Sequence, residues 1–124
     1  MVTHQTIGGR GTVLTDEDLA ALRENLHEQR LFRREQLRQF AVHSSDRADG
    51  RRREADAARI EVGVKLAASA RMVLADVEAA LARMDSGHYG TCHLCRRPVE
   101  RHRLLIVPQA RYCGRCQQVR EAGR

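Results

Sequence analysis

Apolar residues recur with a helical period in two long segments of the chain, separated by a short polar stretch. The apolar positions of the first segment are Leu19, Leu22, Leu26, Leu37 and Phe40. They keep three- and four-residue spacing with a polar interval between them, which indicates a helix with a thin apolar face. Thr15 precedes the segment and Asp18 follows three residues later, as in a capping box. We therefore predict that the first helix begins directly after Thr15.

The second segment, from about residue 54 to 85, carries a heptad pattern. Its seam positions alternate steps of four and three residues, at Leu66, Ala70, Val73, Val77, Ala80 and Met84. Such a seam is typical of helices that pack side by side. Gly87 follows the segment and suits the left-handed cap that ends many helices.

The polar stretch HSSDRADGRRR, residues 43–53, lies between the two helices and is rich in turn-forming residues. Two helices of about 30 residues joined in this way should fold back on each other. The predicted fold is mainly α: a long antiparallel coiled-coil hairpin over 15–86, with its tip loop at about 43–53. A small module with four cysteines, the C4 zinc finger, is predicted to follow over 87–119. Residues 1–14 are predicted to be a flexible N-terminal tail and 120–124 a C-terminal tail.

The composition limits how the chain can be stabilised and where it can reside. Only 3% of residues are aromatic and 31% are charged, so few large side chains are available for a globular core. No run of 18 apolar residues occurs, and MVTHQTIGGRGTV lacks the basic-then-apolar order of a signal peptide. We expect a cytoplasmic protein without a membrane span, in which paired cysteines indicate a metal rather than disulfides.

All four cysteines form two C-x-x-C pairs, Cys92 with Cys95 and Cys113 with Cys116, separated by seventeen residues. This spacing matches the four-cysteine zinc pattern, whereas common ferredoxin spacings differ and a thioredoxin-like site needs a βαβ setting. Four thiolates leave no open position for a metal-bound water, so we predict one structural Zn²⁺ ion. His93 or His102 could in principle replace a cysteine as a zinc ligand. Because four sulfurs already complete the site, the simpler interpretation is that both histidines lie on the surface.

Positive charge is concentrated in the same C-terminal region. From residue 92 onward there are eight arginines against two glutamates, and a zinc ion with four thiolates would reduce this surplus of +6 to +4. Such a surface attracts nucleic acid, an acidic protein groove or a phosphorylated ligand, or serves only solubility. The apolar run RLLIVP, residues 103–108, is expected to pack between the cysteine pairs as a short strand or turn.

The end of the second helix and the cysteine module resemble the DksA/TraR family of bacterial transcription regulators. The resemblance rests on ALARMDSGHYGTCHLC and RLLIVPQARYCGRCQ and covers roughly residues 66–118. It implies a protein that binds RNA polymerase and not DNA, and that inserts its coiled coil into the secondary channel of the enzyme. The tip would then lie near the catalytic centre and alter promoter complexes.

The family carries acidic residues at the tip in a D-x-x-D-x-A pattern, which this chain follows only in part. Asp46 and Asp49 reproduce the two acids, but Arg51 stands where Ala is expected, and Asp56 reproduces only the end of the pattern. Asp49 could instead cap the second helix. The candidate polymerase-contacting residues are Asp46, Asp49, Arg51, Arg52 and Asp56.

Two further positions depart from the family. Arg96 follows the first cysteine pair where Gly is usual, so the turn there is expected to be strained or reshaped. Some members act with guanosine tetraphosphate through basic residues, whereas the matching positions here are Asp76, Val107 and Gln117. We therefore expect that this nucleotide does not bind in the same way.

Two other functions stay open on the sequence alone. One is a basic zinc ribbon that binds nucleic acid. The scarcity of aromatic residues argues against it, because only Tyr89 and Tyr112 are available for stacking on bases. The other is a redox- or zinc-responsive switch in which thiolate oxidation releases the metal. The sequence offers no Ser/His/Asp set, phosphate loop or open metal site, so no catalytic residue and no enzymatic activity are predicted.

Overall fold

The structure, a computed structural model, describes the backbone of residues 14–48 and 54–123, and the side chains of 14–42 and 57–123. This part of the chain forms four helices and no β-strand, with one isolated bridge between Thr91 and Pro98. The helices are α1 (Asp16–Ala48), α2 (Glu54–Ser86), α3 (Arg101–Ile106) and α4 (Gly114–Ala122). None of the described helices combines the length and the apolar character that spanning a bilayer requires.

The two long helices, of 33 residues each, pack against each other as an antiparallel pair. Their ion pairs show the direction: Arg23 bonds Asp85 at 2.9 Å, and further along α1 Arg34 bonds Glu78 at 2.7 Å. The predicted mainly helical fold, a long hairpin followed by a four-cysteine module, is confirmed.

Both predicted helix ends at the base of the hairpin have the expected geometry. The backbone N–H of Thr15 donates to Asp18 Oδ2 at 3.1 Å, and the N–H of Asp18 donates to Thr15 Oγ1 at 3.0 Å. These reciprocal bonds form a capping box. At the end of α2, Gly87 has φ 79°, and the N–H groups of Gly87 and His88 donate to Met84 and Arg83 carbonyls. This pair of bonds is a Schellman motif.

One seam position of α2 was predicted wrongly. Leu66 is 51% exposed, and its neighbour Ala67 is buried in the seam together with Ala70. Two rows of α2 residues, one starting at Leu66 and one at Ala67, share the seam positions Ala70, Val77 and Met84. The small side chain of Ala67 is therefore the one that faces the opposite arm, and the bulkier Leu66 is directed to solvent.

The helices extend beyond the predicted boundaries. α1 continues to Ala48, so residues 43–48 are helical rather than part of a tip loop. Ser and Asp cost a helix only about 0.5 kcal/mol each, and the first strong helix breaker is Gly50. Similarly, α4 includes residues 120–122, which were assigned to a tail. Leu14, also assigned to a tail, is fully buried in the core.

Most of the apolar run at 103–108 is helical rather than a strand or turn, because residues 101–106 form α3, and Pro108 lies in the turn that follows. The N–H of Val107 donates to the Arg103 carbonyl at 2.8 Å, which is a helical bond. A helix of this length turns only one side inward, so Leu104 is fully buried while Ile106 is 78% exposed. The core of the protein therefore lies where the base of the hairpin meets the cysteine module, and its members are Leu14, Leu22, Leu26, Val77, Ala80, Leu81, Tyr89, Cys92, Val99, Leu104 and Cys113.

Candidate metal centre

The first cysteine pair lies in a tight turn directly after the end of α2. The N–H of Arg96 donates to the Cys92 carbonyl at 3.1 Å, and the N–H of Cys92 donates to the Arg97 carbonyl at 2.8 Å. Arg96 has φ 65°, the left-handed conformation that glycine adopts most easily. The turn therefore keeps the shape of a glycine-containing turn, with its strain located at Arg96.

The second cysteine pair opens α4. Cys113 is the N-cap residue, and its Sγ accepts a hydrogen bond from the N–H of Cys116 at 3.4 Å. The carboxylate of Glu100 accepts another from the N–H of Gly114 at 3.1 Å. Both bonds satisfy N–H groups that the first turn of a helix leaves without partners.

The two turns bring the sulfurs of Cys92, Cys95, Cys113 and Cys116 within 4.8 Å of one another. The Sγ atoms of Cys95 and Cys113 are 3.9 Å apart. Zinc bound tetrahedrally at 2.3 Å requires sulfur separations of about 3.8 Å. All four thiols are free of disulfides. The four cysteines are therefore positioned to bind one zinc ion, and every position of its tetrahedron is filled by protein.

The thiols of the cluster differ in acidity. Burial opposes ionisation of Cys92, but backbone N–H groups of Cys95, Cys113 and Leu94 donate to its sulfur and lower its pKa to about 6. Burial, together with hydrogen bonds that its own thiol donates to the other cysteine sulfurs, raises the pKa of Cys116 to about 12. Four ionised sulfurs at this distance repel one another, so a divalent cation is needed to hold them all as thiolates.

Histidine does not join the cluster. The ring of His93 packs edge-on against Tyr112, with 6.0 Å between ring centroids, and the side chain of His102 is exposed. The cluster found in the described part of the chain consists of cysteines alone.

Three polar contacts fasten the cysteine module to the two arms of the hairpin. The guanidinium of Arg101 donates to both carboxylate oxygens of Asp18, at 3.0 and 2.9 Å. The side chains of Gln29 and Gln109 bond each other, and Arg111 donates to Asp76 at 2.8 Å. The first two contacts reach α1 and the third reaches α2, so the module holds both arms together.

Two groups at this base, a partly buried carboxylate and a buried hydroxyl, have shifted pKa values. The bond from Arg101 and the capping bond from Thr15 lower the pKa of Asp18 to about 2. Tyr89 is 2% exposed and donates its hydroxyl to the Pro108 carbonyl at 2.7 Å. Burial raises the pKa of that hydroxyl well above its usual range.

Sequence reasoning missed these contacts between the module and the arms. Arg101 and Asp18 are 83 positions apart, and Arg111 and Asp76 are 35 apart. Their opposite charges are common in the chain, and no local spacing marks them as partners. The capping role of Asp18, in contrast, was visible in the sequence because it depends on neighbours three residues away.

The candidate tip residues lie mostly outside what the structure describes. Asp46 and Asp56 belong to α1 and α2 by their backbone, but their side chains are not among the described ones. Asp49, Arg51 and Arg52 lie outside the described residues altogether. Their contact with polymerase stays a prediction.

Three positions match the basic residues with which some DksA/TraR members bind guanosine tetraphosphate, and none of them carries a positive charge here. Asp76 bonds Arg111, Val107 is 38% exposed, and Gln117 bonds Glu121 at 2.7 Å. The two tyrosines offer little for base stacking, because Tyr89 is buried. The ring of Tyr112 is half-buried and covered by the Arg120 guanidinium at 4.4 Å.

Comparison with known proteins identifies the module. Residues 87–122 match the family model of the prokaryotic dksA/traR C4-type zinc finger. These residues form a DksA/TraR zinc finger. The match includes both cysteine pairs and the connecting α3, so the resemblance inferred from the sequence is confirmed.

Solved structures extend the likeness to the hairpin. Transcription factor DksA2 from Pseudomonas aeruginosa superimposes with a TM-score of 0.76 at 20% identity, over 86% of this chain and 85% of that one. The solution structure of a DnaK suppressor protein from Agrobacterium tumefaciens C58 gives 0.55 at 26% identity, over 82% and 92%. Most of this chain therefore shares the fold of DksA2, with the cysteine module at the base of the two packed arms.

One curated relative is an uncharacterized protein from Aquifex aeolicus (strain VF5). It is 35% identical over 52 residues, which is 40% of this chain and 36% of the relative. The match thus spans little more than a third of the relative's length.

Proposed function

We propose that this protein is a cytoplasmic, non-enzymatic regulator of transcription that binds bacterial RNA polymerase. The observation that supports this most strongly is the combination of a DksA/TraR finger with a hairpin of the DksA2 fold. The hairpin arms are 33 residues long, or about 50 Å at 1.5 Å per residue. A rod of this length can reach a site at the bottom of a narrow channel, such as the secondary channel of polymerase.

In this proposal the finger and the tip have separate roles. Zinc, when bound, cross-links the two cysteine pairs and stabilises the finger. Arg101, Gln109 and Arg111 bond residues of α1 and α2, so the stabilised finger also holds the two arms in place. The tip, residues 43–53, is the effector and carries its charges near the catalytic centre of polymerase. Its acids and arginines act in opposite electrostatic senses on the metal-bound centre.

Binding to core polymerase tests the proposal directly. We expect the intact, zinc-loaded protein to be retained by immobilised core polymerase, and a variant lacking residues 43–53 to lose its effect on promoter complexes. The double variant Asp46→Asn with Asp49→Asn is expected to keep its fold and its binding but to change transcription. Failure of the intact protein to bind core polymerase contradicts the proposal.

The same preparation tests direct DNA binding, the alternative suggested by the arginines of the finger. We expect weak binding to free DNA that changes little with salt, because Arg101 is engaged by Asp18 and Arg103 donates to the Tyr112 carbonyl. Steeply salt-dependent binding that is lost on neutralising Arg96, Arg97, Arg101 and Arg103 would support a nucleic-acid-binding ribbon instead.

A further inference from the structure

One short segment of the finger bonds both arms of the hairpin. We refer to it as the crossing segment: residues 107–113, between α3 and α4. Gln109 and Gln29 of α1 bond each other through their side-chain amides, at 3.3 and 3.5 Å. Arg111, two residues later, donates to Asp76 of α2 at 2.8 Å. The two arms are therefore linked through a single stretch of backbone.

The crossing segment is itself held firmly by the rest of the finger. Three of its backbone carbonyls accept hydrogen bonds from other parts of the module: Pro108 from the Tyr89 hydroxyl at 2.7 Å, Arg111 from the His93 N–H at 2.9 Å and Tyr112 from Arg103 Nε at 3.0 Å. Ala110 packs against the buried core. Cys113, the last residue of the segment, belongs to the cysteine cluster, so zinc, when bound, holds this end directly.

The two bonds act well below the tip of the hairpin. Gln29 lies 13 residues after Asp16, and Asp76 lies 10 residues before Ser86, so both are about 15–20 Å from the base. Beyond Gln29, α1 continues for 19 residues to Ala48, or about 28 Å. A tilt of α1 by about 10° at Gln29 would move Ala48 by about 5 Å, close to the pitch of one helical turn. Small changes at this level are therefore amplified at the distal end.

Apolar packing beyond this level is too thin to fix the direction of the arms by itself. The seam there is formed by the buried Ala67 and Ala70, whereas the larger Leu66 is 51% exposed. Small side chains bury little apolar surface, and loosely packed contacts lose a unique geometry before they lose stability. The polar bonds of the crossing segment therefore supply direction that the seam does not.

We infer that Gln109 and Arg111 are positioning residues, which act through Gln29 and Asp76 to set the direction of the hairpin relative to the finger. They thereby determine where the tip lies when the protein is bound to its partner. The inference rests on the proposed function, in which residues 43–53 act on RNA polymerase.

The same bonds contribute little to stability. The side chains of Arg111 and Asp76 are 34% and 45% exposed, and ion pairs and hydrogen bonds in such positions stabilise a fold only weakly. Their removal should therefore change the direction of the arms without unfolding the protein, which makes the positioning role testable.

Transcription assays with the full-length, zinc-loaded protein test this role. The double variant Gln109→Ala with Arg111→Met is expected to keep wild-type affinity for core polymerase. Its effect on promoter complexes at saturation should fall about tenfold, because small misplacements of an acting group are costly. The controls Arg115→Met and Gln118→Ala remove exposed side chains of α4 and should change neither quantity. Zinc content and urea unfolding identify any variant that fails to fold.

Exchanging the two charges tests the contact rather than the individual residues. Asp76→Arg alone places two arginines opposite each other, so the effect on promoter complexes should fall. Asp76→Arg combined with Arg111→Asp forms an ion pair again, with the charges reversed, and should restore most of the effect. A merely structural role predicts no difference in transcription among variants of equal stability.

A distance measurement tests the direction of the arms without polymerase. Spin labels are attached to a ketone-bearing amino acid at Ala41 of α1 and Val119 of α4, both exposed, so that the cysteines stay available to zinc. Electron–electron double resonance is expected to give a broader distance distribution in the double variant than in the wild type and the controls. This result is expected even if polymerase does not bind and the proposed function fails.

Two outcomes overturn the positioning role and leave the proposed function intact. One is a wild-type effect on promoter complexes by the folded double variant Gln109→Ala with Arg111→Met. The other is a distance distribution that the double variant leaves unchanged.

Discussion

The base of the hairpin and its distal half are built from the same two helices but are stabilised very differently. At the base, Leu22 and Leu26 of α1 meet Val77 and Leu81 of α2, and all four are buried. Further along, the described buried residues are small, at Ala67 and Ala70. Large apolar side chains are exposed there instead: Leu31, Phe32, Val62, Val64, Leu66 and Met72.

This difference follows from what each half can pack against. The base has a third partner, the finger, which contributes Tyr89, Val99 and Leu104 to a common core. The distal half has only the opposite arm, and a two-helix seam of alanines buries little apolar surface. Stability is therefore concentrated at the base, which carries the four-cysteine metal site. The distal half, which leads to the proposed effector tip, is a thin two-helix rod.

Loss of the metal should have the largest effect, because it removes the finger from the common core. We expect Cys92→Ser to abolish stoichiometric zinc binding and to lower the free energy of unfolding by several kcal/mol, since zinc binding of about 10 kcal/mol is coupled to folding. Metal analysis and urea unfolding followed by circular dichroism measure both effects. Ser69→Ala, a change in the distal half, serves as the control. Full zinc content with an unchanged urea midpoint would contradict the structural role of the site.

A matched pair of leucines on α1 measures the contrast directly. Leu26→Ala removes a fully buried side chain and should destabilise the protein by about 2–5 kcal/mol. Leu31→Ala, five residues further along, removes one that is 65% exposed and should change stability by less than about 0.5 kcal/mol. The free energy of unfolding from urea titration distinguishes them. Equal losses would mean that the distal half is packed more tightly than the exposed leucine indicates.

The features predictable from the sequence are those that depend on near neighbours. The capping box of Thr15 and Asp18, the glycine cap at Gly87 and the cysteine spacing all act within a few residues. The seam was one residue in error at Leu66 because two heptad rows share half of their members, and only the opposite arm selects between them. Leu14 is buried in a core whose other members include Tyr89, Val99 and Leu104, at least 75 residues away, so no local pattern could reveal its burial.

Asp18 tests the link between the finger and α1. Asp18→Asn weakens both the bond that the carboxylate accepts from the Thr15 N–H and the ion pair with Arg101, so it should lower stability at pH 7 by about 1–2 kcal/mol. The folded-state pKa of about 2 lies below the ordinary 3.8. The carboxylate therefore stabilises the fold fully above pH 4, and this contribution is lost as pH falls toward 2.

Urea unfolding of wild type and Asp18→Asn at several pH values, compared at equal zinc occupancy, measures this contribution. Asp16→Asn changes a neighbouring acid of the same helix turn and provides the control. A difference between wild type and Asp18→Asn that grew as the pH fell would contradict the depressed pKa.

The smallest effect is expected at two left-handed residues, Gly87 and Arg96, on either side of the first cysteine pair. Arg96→Gly relieves the strain of φ 65° at a cost in chain entropy, so a gain of up to about 1 kcal/mol is expected. Gly87→Ala introduces the same strain at φ 79°, where a new Cβ meets no atom within 4 Å, and should cost about 1 kcal/mol. Thermal unfolding of the zinc-loaded proteins compares the two changes, and a loss of stability in Arg96→Gly would show that the Arg96 side chain supports the base rather than straining it.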